Sequence, residues 1–355
     1  MVDGWAEHAG ERHHGAHGAA VSRSLDVPVG ELLDFSQNIN ALGAPAAALE
    51  AARRALYEES GCYPDLKYTG LREALAEYLA VAPKNVVPTN GGAEALFLAA
   101  AAAGAGGALV LEPTFSEYAA AARASGMQVV RRVVRRPGEC SGFDHAALDD
   151  LDGISLVFLC NPNNPTGDSL GHRDVLEVAD RVRDTGAVLI VDEAFADFVP
   201  EISVAALVDE GLLVARSFTK FFAIPGLRLG CLVCDDAERV QTLQPSWPVN
   251  AAAAAAGIAA VEDRGFSKAS VAEVARLRGE LFGTLSGLDG LRPFPGVANF
   301  LLVRGPEGLA GRLARRGVLV RGCGPFAGLG PEYFRVAVRG EDENGRLISV
   351  LREEL

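Results

Sequence analysis

The sequence predicts an α/β protein, with a large domain whose mainly parallel sheet is sandwiched by helices and a smaller α+β C-terminal domain. Two observations lead there. Short, continuously apolar runs recur along the chain: ALVLE (108–112), SLVFLC (155–160), AVLIVD (187–192), LLVARSF (212–218) and LGCLVC (229–234). They lack polar alternation, which suits strands buried on both faces, as parallel strands between helices are. Beyond Pro245-Ser246-Trp247-Pro248 and the alanine-rich stretch 251–260, the pattern changes to strands grouped with helices.

In chain order, residues 1–44 are rich in Gly and Ala and read as an irregular N-terminal arm. Residues 45–57 and 70–80 look helical. VVPTNGGAEALFLAAAAA (86–103) reads as strand, glycine turn and helix. The apolar strands follow, with turn or helix signals between them. The alanine runs read as tightly packed helix, because alanine has the best helix propensity. The C-terminal part is expected to carry a helix at about 265–286, strand VANFLLV (297–303), a helix at 306–316, strands VLVR (318–321) and YFRVAV (333–338), and a last helix at 341–354. The expected division is an arm (1–44), a large domain (45–255) and a small domain (256–355).

With 355 residues, 49% hydrophobic and 22% charged, the chain has an ordinary globular balance, which excludes a disordered or fibrous reading. The formal charge of -13 makes it a poor candidate for gripping nucleic acid or an anionic membrane through its overall field. The least charged stretch, Ala95–Leu111, falls short of the ~18 apolar residues of a span and is broken by Gly104, Gly106 and Gly107. The N-terminus carries acids and histidines without an apolar core, unlike a signal peptide. A cytoplasmic location is expected. Cys62, Cys140, Cys160, Cys231, Cys234 and Cys323 are scattered, which suits free thiols in a reducing compartment. The one C-x-x-C, Cys231 and Cys234, has no second pair, so no metal site is expected.

Four motifs fall where predicted strands end, the place where open α/β sheets bind ligands. Asn90-Gly91-Gly92-Ala93-Glu94 is an ordinary turn or a phosphate-binding helix start. Asn161-Pro162-Asn163-Asn164-Pro165-Thr166-Gly167 is a rigid loop with ligand-competent asparagines. Asp192 ends a very apolar strand, where it either caps the next segment or faces a cationic ring nitrogen. Ser217-Phe218-Thr219-Lys220 precedes Ile224-Pro225-Gly226-Leu227-Arg228. Lys220 in these apolar surroundings either snorkels or is desolvated into a neutral amine suited to a Schiff base. Only Lys67, Lys84, Lys220 and Lys268 are lysines, against 29 arginines (33 − 4), so an amine is needed at 220 that arginine cannot replace.

This order of motifs resembles the fold-type I pyridoxal-phosphate enzymes of the aspartate aminotransferase superfamily. The resemblance implies pyridoxal 5'-phosphate as cofactor, held by a large domain over 45–255, with the arm as a substrate lid. It implies that Lys220 binds the cofactor aldehyde and Asp192 pairs with the pyridinium nitrogen, making the ring an electron sink. It gives Asn164 to the phenolic oxygen, and Gly92, Ala93, Ser217 and Arg228 to the phosphate. Phe115 matches the aromatic that stacks on the ring. Tyr63 matches a tyrosine that reaches the neighbouring subunit's cofactor phosphate, which implies a homodimer. Arg335 matches the arginine that binds the substrate α-carboxylate. Phe195 stands where many aminotransferases have a tyrosine bonded to the phenolic oxygen.

Within that superfamily two groups fit best, the L-threonine-O-3-phosphate decarboxylases of cobalamin biosynthesis and the histidinol-phosphate aminotransferases. The chain is similar to the decarboxylases in Leu33–Asn40, Asp192–Phe198, Ser217–Phe221, Trp247–Asn250 and Val320–Cys323. It departs at His14-Gly15-Ala16, where that group has H-G-G, and at Asn40-Ala41-Leu42, where it has proline in place of Ala41. The expected reaction is loss of carbon dioxide from a phosphorylated amino acid, giving (R)-1-amino-2-propanol O-2-phosphate; breaking Cα–H instead would give amino transfer. Arg321, His14 and Arg335 are the candidates for the substrate phosphate, with Arg339 in reserve, and Asn38 is a further substrate-contact candidate. A surface salt bridge is the plain alternative for Arg321. A non-catalytic regulator would need an appended DNA-binding module, and no basic helix-turn-helix segment is visible at either end.

Overall fold

The computed structural model describes residues 18–25, 28–135, 137 and 143–355. A helix, α1 (Gly18–Leu25), and a two-residue strand, β1 (Leu33–Asp34), occupy the arm expected to be irregular. β1 forms because Leu33 and Asp34 find a distant parallel partner, a pairing that local pattern does not encode. Next come α2 (Ala46–Glu58), α3 (Thr69–Leu79), β2 (Val86–Thr89), α4 (Gly91–Ala103), β3 (Gly107–Glu112), α5 (Glu117–Ala124) and β4 (Gln128–Val133). Then follow β5 (Ile154–Cys160), α6 (His172–Arg183), β6 (Val188–Asp192), β7 (Leu212–Ser217), a single turn α7 (Phe218–Phe221), β8 (Gly230–Val233) and α8 (Ala237–Gln241). The last part holds α9 (Ala251–Glu262), α10 (Arg264–Ser286), β9 (Arg292–Pro293), β10 (Phe300–Arg304), α11 (Leu309–Arg315), β11 (Val318–Leu319), β12 (Arg321–Gly322), β13 (Tyr333–Ala337) and α12 (Glu341–Glu354).

Seven strands form the main sheet in the order β2-β8-β7-β6-β5-β3-β4. All run parallel except β8, which is antiparallel to both neighbours. Alternate residues of each strand enter different cores, which is why the strands read as unbroken apolar runs. Leu109, Val157, Leu189, Val191 and Val214 face the layer of α3, α6 and α9. Val110, Phe158, Ile190, Ala215 and Leu232 face α4, α5 and α8. Each Val, Leu, Ile or Phe side chain so withdrawn from water contributes on the order of 1.5–3 kcal/mol. β4 has no counterpart among the apolar runs of the sequence: it is an edge strand with no fully buried residue and two arginines, Arg131 and Arg132, so it lacks the two-faced apolar signature.

A second sheet, β12-β13-β10-β9, is antiparallel and belongs to the smaller C-terminal part. Its core joins Leu301, Val303, Phe334 and Val336 to Leu347 and Leu351 of α12. Leu33 and Phe35 join the same core, and β1 pairs with β11. α10 bridges the two parts: Val274 packs in the large core, while Leu277, Leu281 and Leu285 pack in the small one.

Candidate active site

Parallel strands place their C-terminal ends on one edge of the sheet. β5 and β6 end in register at Cys160 and Asp192, and Asp192 also lies opposite Ala215 of β7. Asp192 is buried. Its Oδ1 accepts from the Ala194 N–H at 2.9 Å and its Oδ2 accepts from the Tyr118 hydroxyl at 2.7 Å. Burial raises the Asp192 carboxyl above its usual range, against the pull of Lys220, Tyr118 and the Ala194 amide. Such a carboxylate is well served by a cation brought to it. Lys220, on α7 just after β7, donates to Ser217 Oγ at 3.1 Å, and its Nζ lies 5.7 Å from the Phe195 ring centroid. Desolvation pushes its amine below the ordinary lysine range, with Asp192 opposing. The lysine is therefore desolvated, which favours the neutral, nucleophilic amine.

Beside this pair lies a cradle built from the start of α4. Asn90 makes no side-chain cap there. A Cβ at Gly91, whose φ is +79°, would stand 2.5 Å from Arg228 Nη2, and one at Gly92 would stand 2.9 Å from the Ser217 Cβ. The two glycines keep Cβ atoms out of the turn, with a hydroxyl and a guanidinium pressed against it, while the Glu94 carboxylate accepts from the Asn90 amide at 2.5 Å. The amide groups that open the 13-residue helix, Ser217 and Arg228 form a donor set for an anion.

On the other side, Arg335 is buried over Phe300, with its guanidinium carbon 5.2 Å from the ring centroid. It donates to Asn164 Oδ1 and, at 2.8 Å, to the Ser36 carbonyl, while its buried Nε has no partner. Burial pushes this guanidinium down to about 10, and nearby Arg321 acts in the same direction. Arg321 stands opposite Arg335 across β12 and β13 and is also lowered by burial. Asn38 is buried, with Oδ1 unpartnered. The arm is strapped to the site: Asn40 donates from its backbone to the Lys220 carbonyl at 3.0 Å and from Nδ2 to the Phe221 carbonyl at 2.7 Å.

Lys220, Asp192, Ser217, Asn164, Arg335 and Arg321 thus converge, with Gly92, Ala93 and Arg228 at the cradle and Asn38 on the arm. Of the loop's asparagines, Asn161 is spent on Leu170 (2.8 and 3.0 Å), and Asn163 binds Pro113 and Thr166 (2.9 and 2.7 Å). Only Asn164 reaches the arginine. Phe115 meets Tyr118 edge-on at 5.8 Å. Tyr63 lies on the outside, 79% exposed and stacked on Trp247 at 4.3 Å. His14 lies outside the described residues. Arg339, the reserve phosphate candidate, pairs with Glu343 at 3.0 Å. Sequence reasoning missed Tyr118, whose only local signal was its place one helical turn after Phe115. It also missed a buried ion network behind the site. There Arg216 donates to Glu193 at 2.6 Å and to Asp197, which also accepts from Tyr78 at 2.9 Å.

The comparisons with known proteins bear on this arrangement directly. Residues 30–351 match the model of aminotransferase class I and II. The chain belongs to that family. It is 38% identical to a threonine-phosphate decarboxylase of Salmonella typhimurium, over 96% of each chain. It is 31% identical to a histidinol-phosphate aminotransferase of Methanopyrus kandleri, over 94% of this chain and 91% of that one. The crystal structure of the histidinol-phosphate aminotransferase from Clostridium acetobutylicum superposes with a TM-score of 0.82 at 27% identity, covering 90% of this chain and 98% of that one.

The family's cofactor is pyridoxal phosphate, and the residues present fit it. A desolvated amine, a buried carboxylate in want of a cation and a helix start opened by two glycines lie together. Among the described residues, no group of three or more His, Cys, Asp or Glu is arranged to hold a metal.

Proposed function

We propose that this chain decarboxylates L-threonine O-3-phosphate to (R)-1-amino-2-propanol O-2-phosphate, a step of cobalamin biosynthesis. The observation that carries the reading is the facing pair Arg321 and Arg335 beside Lys220, with Arg335 bound only to the neutral oxygens of Asn164 and Ser36. Two adjacent cations, Arg335 buried and Arg321 half-buried, fit a small molecule with two anionic ends, a carboxylate and a phosphate. The similarity to the Salmonella decarboxylase over nearly the whole of both chains supports the choice of reaction.

Pyridoxal phosphate, when bound, supplies an electron sink for the breaking Cα bond. Lys220 would hold its aldehyde end, and Asp192 would keep the ring nitrogen in its protonated form. Gly92, Ala93, Ser217 and Arg228 hold its phosphate, Asn164 its phenolic oxygen, and Phe115 one face of its ring. In this reading Arg335 would grip the α-carboxylate and Arg321 the substrate phosphate, with His14 and Asn38 as further substrate-contact candidates. By fixing the carboxylate and phosphate ends of the substrate, Arg335 and Arg321 would choose which Cα bond is offered to the cofactor. Once the substrate amine has taken its place on the aldehyde and given up its ammonium proton, the freed Lys220 amine would carry that proton and could return it to Cα after carbon dioxide leaves.

The alternative, histidinol-phosphate amino transfer, is supported by the Methanopyrus and Clostridium relatives. Assaying carbon dioxide released from threonine phosphate beside amino transfer to 2-oxoglutarate separates the two. Release without transfer is expected; transfer from histidinol phosphate without release would reverse the assignment.

The working unit in this reading is a cytoplasmic homodimer, with Tyr63 completing the neighbour's phosphate site. Exposed Leu56, Tyr57, Tyr63, Leu66 and Trp247 support a covered face there. Among the described residues, no helix is long and apolar enough to cross a membrane.

A further inference from the structure

We propose that Tyr118 is a positioning residue for the cofactor: its phenol, donating to Oδ2, sets the orientation and hydrogen bonding of the Asp192 carboxylate that meets the ring nitrogen. The inference rests on the pyridoxal phosphate reading and assigns a residue that the family motifs did not point to.

Three observations carry it. Tyr118 is fully buried, so its hydroxyl needs a partner inside the protein. The partner is an acidic oxygen at the end of β6, 2.7 Å away. The ring is clamped: it stacks on Phe158 at 5.1 Å with 11° between planes and meets Phe115 edge-on at 5.8 Å. The phenol oxygen is therefore a fixed donor. Asp192 has one donor on each oxygen, the Ala194 amide at 2.9 Å and this phenol. Two donors on two oxygens fix the plane of the carboxylate and leave lone pairs for a third, cationic partner. The amide comes from the backbone, so the phenol is the side chain through which substitution can alter that plane. Burial also keeps the phenol protonated far above its usual range, so it remains a donor wherever the enzyme works.

Tyr118→Phe removes one oxygen and keeps both ring contacts. The test compares the affinity of cofactor-free protein for pyridoxal phosphate and for 1-deazapyridoxal phosphate, in which a C–H replaces the ring nitrogen. Equilibrium titration reads both. If Tyr118 acts through Asp192, the variant binds pyridoxal phosphate about tenfold more weakly. It binds the deaza analogue within about twofold of the unsubstituted protein. Equal weakening of both ligands means that Tyr118 only packs, and no change in either means that its bond to Asp192 is idle; each overturns the proposal. If the unsubstituted protein binds neither ligand, the cofactor reading itself fails and takes the inference with it.

Discussion

Arg321 and Arg335 face each other across β12 and β13, like charges in register and both desolvated. Arg335, whose partners are the neutral oxygens of Asn164 and Ser36, is suited to receive one anionic group, and Arg321 beside it a second. Arg321→Ala is expected to raise KM for threonine phosphate about 10–100-fold, the worth of one charge-assisted contact. Binding of unphosphorylated threonine should hardly change. Arg335→Ala should weaken both. Steady-state kinetics with the two amino acids checks the assignment, and equal losses for Arg321→Ala would remove that residue from the phosphate site.

Lys220 carries a pH dependence. Desolvation holds its amine below the ordinary lysine value of about 10.4. The neutral fraction grows as pH rises through that lowered value. The rate at which cofactor-free protein captures pyridoxal phosphate should therefore rise with pH and level off before an ordinary lysine would. Stopped-flow absorbance reads the profile, and borohydride treatment should label position 220. Lys220→Ala should abolish the labelling.

Arg216 is a stability determinant behind the site. It lies between Glu193 and Asp197, all three nearly inaccessible. Arg216→Met leaves two buried carboxylates without their cation, a loss of about 3–5 kcal/mol. Urea unfolding of the cofactor-free protein measures it. Adding Glu193→Gln and Asp197→Asn should recover much of the loss, because the uncompensated charge is gone.

Gly230 lets β8 lie against the glycine turn. A Cβ there would stand 2.6 Å from Gly91 C and from Gly92 N, and 2.7 Å from the Arg216 carbonyl, all backbone. Gly230→Ala should displace the cradle at a cost of about 1–3 kcal/mol in stability. The advantage of pyridoxal phosphate over phosphate-free pyridoxal in binding should shrink, as equilibrium titration of both would report.

Tyr63 gives a test of the dimer. Tyr63→Ala and Lys220→Ala chains should each be nearly inactive alone. Mixed dimers contain one site with Lys220 from one chain and Tyr63 from the other, and should regain activity. Failure of mixed chains to recover any activity would place Tyr63 outside the neighbouring site.

The candidates Asp192 and Lys220 were legible because each lies in a short local motif at or just beyond a strand end. An apolar run closing on a carboxylate announces Asp192, and a lone lysine among aromatics announces Lys220. Two-faced burial likewise made β3, β5, β6 and β7 readable, since both faces of each strand must be apolar. β4 was not, because this edge strand has no buried position and carries Arg131 exposed and Arg132 half-buried. Nor was the bond of Tyr118 to Asp192, which joins residues 74 positions apart.

Local sequence thus determined which groups are present and that a sheet edge would display them. Tertiary structure decided which groups meet. Strand order and register brought Arg321 opposite Arg335, and the arm folded back to hold Lys220 through Asn40. The physical reason is that a strand's pattern records how many of its faces are buried, whereas the identity of its neighbour is set by packing across the whole chain.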